Sequence, residues 1–167
     1  DMSEVVRLRA GVADEAKKRN TKLTFLPFII KAVIPALKEF PYLNSSLDDR
    51  AQEIVLKADY NIGIATDTPN GLIVPVVKHA DRKSIWEIAE EIGSLAERAR
   101  AGKSQLEDLK GGTFTLTNAG SIGGVFATPV INHPEVAILG VNAIRKRPVV
   151  VDDQIVIRDM MFLSLSV

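Results

Sequence analysis

The chain has 167 residues, of which 46% are hydrophobic and 25% are charged. Its 21 basic and 21 acidic side chains cancel, which excludes the net basic surface that nucleic acid or an anionic membrane would require. The absence of cysteine excludes disulfides, thiolate metal sites and a cysteine nucleophile, and no apolar run reaches the ~20 residues that span a bilayer. We therefore expect one cytoplasmic domain that binds neither nucleic acid nor membrane.

Two helices are predicted at the start of the chain. Ser3 is expected to cap the first, which runs to about Arg19 and buries one face. That face consists of Val5, Leu8, Val12 and Ala16. Thr24 is expected to cap the second, over residues 25–40, which is apolar enough to be deeply buried. The apolar residues that support this prediction are Phe25, Phe28, Ile29, Ala32, Val33, Ala36, Leu37 and Phe40.

Strand patterns begin after Tyr42. Residues 43–58 predict two short strands around a turn near 48–50. The pair Asn70-Gly71, inside DTPNG, lies between two β-prone runs and predicts a hairpin. Pro75 interrupts the second run and has no N–H to donate, so we expect that strand to lie at an edge or to be bulged.

A third long helix is predicted after these strands. Ser84 and Glu87 form a capping box at its start, and Gly102 is a natural stop at its end. Ser104 and Glu107 repeat the capping pattern, which predicts one further short helical turn.

The last third of the chain is mostly strand. The runs TFTLTN, VAILGVNAI, VVV and IVI precede a final MMFLSLSV. In that final run Leu163, Leu165 and Val167 alternate with serines, which predicts a strand whose apolar face is buried. The order helix, helix, strands, helix, strands predicts an α+β domain with one layer of helices against a mixed or mainly antiparallel sheet.

The segment GGTFTLTNAGSIGG, residues 111–124, is unusually rich in glycine. It matches neither the dinucleotide-binding nor the Walker pattern, and no helical period follows it, so a nucleotide cradle is not expected. Two interpretations remain open. The segment is either a structural loop or a binding loop that presents the polar side chains of Thr117, Asn118 and Ser121 beside exposed backbone amides.

The chain has two histidines, His79 and His133. Either could be a general base, but neither has a partner motif nearby, so we expect structural or surface roles for both. Two histidines without cysteine make a zinc site improbable, and no metal is predicted. From the residues alone, the chain is an α+β domain with a glycine-rich binding loop.

Four segments taken together are more specific. They are KLTFLPFIIKAVIPALKEFPYLNSSLDD, YNIGIATDTPNGLIVPVVKHADRKSIWEIAEEI, LKGGTFTLTNAGSIGGVFATPVINHPEVAILGV and the closing FLSLSV. In this order they resemble the catalytic domain of the dihydrolipoyl acyltransferases, the core subunits of 2-oxo acid dehydrogenase complexes. The resemblance implies a chloramphenicol acetyltransferase-like fold, a mixed sheet flanked by helices. It also implies a homotrimer that can build larger hollow cages, with active sites between subunits.

The resemblance also implies a reaction and a set of site residues. An acyl group would pass from the thiol of a dihydrolipoyl arm, carried on a domain absent from this chain, to the thiol of coenzyme A. Thr117 occupies the position of the family's oxyanion donor. Coenzyme A contacts are implied at Arg9, Thr24, Asp67, Thr117, Asn118, Asn142 and Ile144.

The family's catalytic histidine belongs to a D-H-R-x-x-D-G motif that follows the strand matching FLSLSV, and this motif is absent here. We therefore expect residues 1–167 to be a core-domain fragment, inactive alone, that lacks an N-terminal strand and the C-terminal catalytic segment. Dehydrogenase and dihydrolipoyl dehydrogenase partners would bind through further absent domains. Two alternatives stay open: a catalytically dead, self-assembling trimer or cage scaffold, and a small-substrate acetyltransferase of the same fold.

Overall fold

The computed structural model describes residues 1–167, apart from the side chains of Ser121 and Ile122. Its α-helices are α1 Ser3–Gly11, α2 Ala13–Lys18, α3 Leu26–Glu39, α4 Ile85–Arg100 and α5 Leu106–Leu109. Its strands are β1 Ser45–Asp48, β2 Glu53–Leu56, β3 Ile62–Thr68, β4 Gly71–Ile73, β5 Val76–Val77, β6 Phe114–Asn118, β7 Ile138–Val141, β8 Arg145–Val151, β9 Gln154–Met160 and β10 Leu163–Ser166. Short 3₁₀ helices cover Pro41–Asn44 and Ala119–Ile122. No helix in the described part of the chain is long and apolar enough to cross a membrane.

A mixed sheet forms the centre of the domain, in the order β10-β7-β6-β3-β4, with β5 also paired to β3. Strands β3, β6 and β7 are parallel, whereas β4, β5 and β10 run antiparallel to their neighbours. The carboxyl ends of the three parallel strands therefore meet at one edge of the sheet, which is where α/β sheets commonly bind ligands. The predicted α+β class with a mixed sheet is confirmed.

One face of this sheet carries the hydrophobic core. Side chains of β3, β6 and β7 pack there against α3 and α4, and Phe114 and Leu116 are almost completely buried. Burying each such side chain contributes about 1.5–3 kcal/mol relative to leaving it exposed. The core residues on the three strands are Ile62, Ile64, Phe114, Leu116, Leu139 and Val141.

The opposite face is small and polar. The register aligns Ala65, Thr117 and Gly140 across β3, β6 and β7. An extended segment, residues 125–136, crosses this face: Ser166 donates from its hydroxyl to the carbonyl oxygen of Pro129 at 2.8 Å. We call this side of the sheet the polar face.

The first predicted helix is divided, and its cap is different. Gly11 and Val12 are weak helix formers, and the helical geometry breaks at Val12 between α1 and α2. The prediction that Ser3 caps α1 is wrong. The Asp1 carboxylate accepts from the Ser3 N–H at 2.8 Å, while the Ser3 hydroxyl accepts from the Asp159 N–H and fastens α1 to β9. Leu8, expected to be buried, is 55% exposed.

Helix α3 buries one side rather than its whole surface. The prediction that Thr24 caps it is wrong, because the helix begins at Leu26 and no side chain caps it. The sheet covers only one side, so Ala32, Ala36 and Phe40 are exposed. The buried residues of α3 are Leu26, Pro27, Ile29, Ile30, Ile34 and Leu37.

Several local predictions are confirmed. The pair β1–β2 and the hairpin β3–β4 form where expected, and Pro75 lies in the break between β4 and β5 on the sheet edge. The Ser84 and Glu87 capping box opens α4. The second box is one residue later than predicted, because Gln105 and Asp108, not Ser104 and Glu107, cap α5.

The prediction for the final strand is wrong in its phase. Leu163 and Leu165 of β10 are about half exposed, whereas Ser164 is buried. Ser164 lies opposite Gly140 on the polar face and accepts a hydrogen bond from the Asn142 amide at 3.3 Å. The leucines project on the other face, at the sheet edge beyond the main helix-packed core, so the hydrogen-bonding serines are covered instead.

Candidate functional site

A cavity of about 300 Å³ lies at the carboxyl ends of β6 and β7, beside the start of α3. Four of the predicted site residues, Thr24, Asn118, Asn142 and Ile144, line it. The remaining lining residues are Phe25, Leu26, Ile29, Gly120, Val141, Ala143 and Met161. The wall is therefore apolar on the α3 side and carries amide groups at the strand ends.

Asn142, one of the lining residues, carries a buried polar atom without a hydrogen-bond partner. The residue is only 2% exposed, and its Nδ2 donates to the Phe162 carbonyl at 3.0 Å and to the Ser164 hydroxyl at 3.3 Å. Its buried Oδ1 accepts no hydrogen bond from the described residues. A buried acceptor without a donor costs about 1–3 kcal/mol, and a bound molecule with an N–H or O–H group can remove that cost.

Arg9 lies beside the cavity wall rather than in the cavity. Its guanidinium carbon is 4.6 Å from the centre of the Phe25 ring, and Phe25 lines the cavity. The Arg9 Nε donates to the Leu23 carbonyl at 2.9 Å, which fixes the side chain against the start of α3. The arrangement presents an exposed positive charge next to the cavity.

A close backbone contact forms the cavity wall at Gly120. A Cβ atom on Gly120 would lie 2.7 Å from the Asn142 carbonyl oxygen and 3.0 Å from the Ala143 nitrogen. Both obstacles are backbone atoms, so no side-chain movement can relieve them. Part of the glycine-rich segment is therefore explained by packing of the 3₁₀ turn against the residues after β7. The predicted contribution of Ser121 lies outside the described side chains.

Thr117 lies next to the cavity but does not line it. It is half-buried on the polar face, with Ala65 and Gly140 as its lateral neighbours. Asn118, the next residue of β6, lines the cavity, so the two predicted site residues lie on opposite sides of one strand end.

Three other candidates lie elsewhere. Asp67 is exposed on β3, opposite Leu72 of β4, and does not line the cavity. His79 pairs with Asp59, with 3.3 Å between Nδ1 and Oδ1, and His133 is exposed in the extended segment. The described residues contain no group of three His, Cys, Asp or Glu side chains that could hold a metal ion.

The sequence prediction missed one polar cluster. Glu135 is 6% exposed and accepts from the Thr115 hydroxyl at 2.6 Å and from the Asn132 amide at 3.3 Å. Burial raises the pKa of the Glu135 carboxyl, although both hydrogen bonds act to lower that pKa. The available signal was a charged residue directly before the buried run VAIL.

The comparison that decides the family covers the whole chain. Residues 1–167 match the family described as 2-oxoacid dehydrogenases acyltransferase (catalytic domain). The chain belongs to this family.

The predicted resemblance is thereby confirmed, and curated relatives of this acyltransferase domain agree with it. The present chain is 53% identical over 166 residues to the dihydrolipoyllysine-residue acetyltransferase component of the pyruvate dehydrogenase complex of Staphylococcus epidermidis. The match covers 99% of this chain and 38% of that protein. The acyltransferase domain described here thus spans well under half the length of its curated relative.

Solved structures give the same result for the fold. A dihydrolipoamide acetyltransferase of Azotobacter vinelandii, investigated for a serine, a histidine and an asparagine in its catalytic mechanism, aligns with a TM-score of 0.96 at 42% identity. The cubic core of a pyruvate dehydrogenase multienzyme complex aligns with a TM-score of 0.96 at 43% identity. Each alignment covers 99% of this acyltransferase domain and 68% of the solved chain.

Proposed function

We propose that this acyltransferase domain moves an acetyl group from a dihydrolipoyl thiol to the thiol of coenzyme A, as part of a pyruvate dehydrogenase complex. The observation that carries the proposal is the cavity at the carboxyl ends of β6 and β7. It groups Thr24, Asn118, Asn142 and Ile144 within one lining, next to the strand position of Thr117. The acetyl group follows from the named component to which the chain is similar.

The chemistry of the cavity suits coenzyme A. The pantetheine arm is a chain of methylenes interrupted by amides, and the cavity combines apolar α3 side chains with the Asn118 and Asn142 amides. Arg9 would pair with a phosphate, because the guanidinium fork matches phosphate geometry. Asp67 stays a proposed contact at the end of β3, outside the cavity lining.

Thr117 would stabilise the tetrahedral intermediate. The coenzyme A thiolate attacks the thioester carbon, the carbonyl oxygen becomes an oxyanion, and the carbon–sulfur bond to the dihydrolipoyl arm then breaks. A hydroxyl donor positioned before the reaction stabilises this oxyanion without reorganisation. The neighbours of Thr117 across the sheet, Ala65 and Gly140, are both small. The proton of the coenzyme A thiol would pass to a histidine outside residues 1–167.

We also propose a homotrimer as the working unit, with larger cages built from trimers in the cytoplasm. The support is the likeness to a chain from the cubic core of a pyruvate dehydrogenase multienzyme complex. The lipoyl group, the dehydrogenase and the dihydrolipoyl dehydrogenase would engage parts of the protein outside this domain. The cavity that groups four of the predicted site residues favours a ligand-binding domain over an inert scaffold.

Calorimetric titration of this chain with coenzyme A tests the proposal. Arg9→Ala should weaken binding by about 10- to 100-fold, because charge-assisted hydrogen bonds are worth about 1.5–3 kcal/mol. Arg7→Ala is the matched control, since Arg7 carries the same charge on the same helix but pairs with Glu4 at the surface. Equal losses for both variants, or no binding by the unmodified chain, would contradict the proposed site.

A further inference from the structure

The buried Glu135 carboxyl lies directly beside the strand that carries Thr117. Its Oε2 accepts from the Thr115 hydroxyl at 2.6 Å, and Thr115 is completely buried on β6. Residues two apart on a strand project from the same face, so Thr115 and Thr117 both lie on the polar face. Only one residue of β6 lies between Thr115, which donates to Glu135, and Thr117, the proposed oxyanion donor.

The backbone approaches this pair closely at two glycines. A Cβ on Gly112 would lie 2.5 Å from Glu135 Oε1, and a Cβ on Gly63 would lie 2.8 Å from Thr115 Oγ1. Glycine at both positions lets the backbone approach the pair closely. The second glycine of the GGTFTLTN run therefore makes space for the Glu135 carboxyl.

Glu135 also links two strands, β1 through its backbone and β6 through its side chain. Its backbone forms a β-bridge with Ser46 of β1, and its N–H donates to the Asn132 carbonyl at 3.0 Å. Three residues later Ile138 opens β7 opposite Thr115. The carboxyl is thus held from one side by the extended segment and from the other by β6.

The described surroundings of Glu135 hold no compensating positive charge. No Lys, Arg or His nitrogen among the described side chains lies within 4.0 Å of its carboxylate oxygens. On the elements packed against it, His133 is exposed and Lys78 donates to the Lys110 carbonyl. Burying a carboxyl that has hydroxyl and amide partners but no cation costs desolvation free energy. Apolar groups of the same shape would avoid that cost, so packing alone does not explain Glu135.

We propose that Glu135 is a positioning residue for acyl transfer, which through Thr115 fixes the position of β6 and hence of the Thr117 hydroxyl. The proposal rests on the proposed function of Thr117. A misplacement of about 1 Å in a catalytic group can lower the rate by about 100-fold. Loss of the buried hydrogen bond between Thr115 and Glu135, two residues from Thr117, should therefore lower the rate.

The kinetic test compares Thr115→Val with Thr115→Ser in the full-length protein, with acetyl-coenzyme A and dihydrolipoamide as substrates. Valine keeps the shape and removes the donor to Glu135, so kcat should fall by up to about 100-fold while KM for acetyl-coenzyme A stays unchanged. Serine restores the hydroxyl and should recover most of the rate. Equal kcat for folded Thr115→Val and unmodified protein, or no rescue by serine, would overturn the proposal.

A spectroscopic test on the 167-residue chain does not depend on catalysis. The amide resonance of Thr117 should titrate with the Glu135 carboxyl, at a pH above the ordinary glutamate value of 4.5. Glu135→Gln should abolish that inflection and leave the other strand resonances in place. An unchanged Thr117 titration in Glu135→Gln would overturn the coupling. Absence of acyl transfer by the unmodified full-length protein, with the coupling present, would refute the proposed function instead.

Discussion

Thr117 of β6 lies directly opposite Gly140 of β7 in a parallel register, on the face of the sheet turned away from α3 and α4. A Cβ on Gly140 would already lie 3.3 Å from the Ser164 Cβ and 3.5 Å from the Pro129 ring. The neighbour of Thr117 across β7 therefore needs to be small, because Ser164 and Pro129 crowd the position that a side chain would take.

Replacing Thr117 by alanine should affect catalysis more than binding. In the full-length protein kcat should fall by about 10²–10³, the usual effect of removing one oxyanion donor, with KM for coenzyme A unchanged. Thr117→Ser keeps the hydroxyl and should retain most of the activity. Steady-state kinetics provide the measurement, and a raised KM with unchanged kcat would indicate a binding role instead.

The close contact at Gly120 predicts a sensitive position in the cavity wall. Gly120→Ala should lower stability and weaken coenzyme A binding, because the added Cβ meets the backbone of Asn142 and Ala143 and the wall must shift. Thermal unfolding and calorimetric titration measure the two effects.

Gly93→Ala is the matched control for that substitution. Gly93 is exposed inside α4 and a Cβ there would meet nothing within 4 Å, so alanine should stabilise the protein by about 1 kcal/mol through helix propensity. If Gly120→Ala were as well tolerated as Gly93→Ala, the close contact at the cavity wall would be refuted.

Local chemistry made part of this structure predictable. The Ser84 and Glu87 capping box and the Asn70-Gly71 hairpin depend on residues that are adjacent in sequence, and both formed as expected. The phase of β10 was not predictable by that means. Hydrophobic alternation placed Leu163 inside, but Ser164 is buried because its partners, Gly140 and Asn142, come from β7 and the residues just after it.

The candidate site was likewise predictable only in part from the sequence. Motif positions indicated Thr24, Asn118, Asn142 and Ile144, and the fold brings these four into one cavity lining. Glu135 escaped notice because its partner Thr115 is 20 residues away and its burial depends on how residues 125–136 cross the sheet. The contact with Asn132 is local, but it does not by itself indicate that the Glu135 carboxyl is buried.

The ion pair between α4 and α5 predicts a loss of stability in acid. Arg98 donates to both Asp108 carboxylate oxygens, from Nε at 2.9 Å and from Nη2 at 2.8 Å, and this pairing lowers the Asp108 pKa from its ordinary value of 3.8. A lowered pKa in the folded state means that the stabilisation is present above about pH 3.8 and disappears as the pH falls through the lowered value.

Asp108→Asn should therefore destabilise the protein by about 1 kcal/mol at neutral pH, and by less as acid protonates the unmodified carboxyl. Urea unfolding across the acidic range measures the difference. Asp14→Asn is the matched control, because Asp14 and Lys17 form an ion pair that is almost fully exposed and should contribute little. A pH-independent difference for Asp108→Asn would show that the ion pair is not its cause.

Glu135 should give the opposite pH dependence. Burial raises its pKa in the folded state, so the folded protein binds the proton more tightly than the unfolded chain. Stability from this group is therefore fully present below pH 4.5, the ordinary glutamate value, and decreases as the pH rises from there to the raised folded value. Glu135→Gln cannot ionise, so the stability advantage of the unmodified protein over this variant should shrink across that window and then level off. Glu97→Gln, the same change on the exposed side of α4, is the control for general charge effects. Urea unfolding at a series of pH values measures both differences in the free energy of unfolding. If the advantage of the unmodified protein over Glu135→Gln grew with pH, ionised Glu135 would be stabilised in the folded protein, contrary to its burial without a cation.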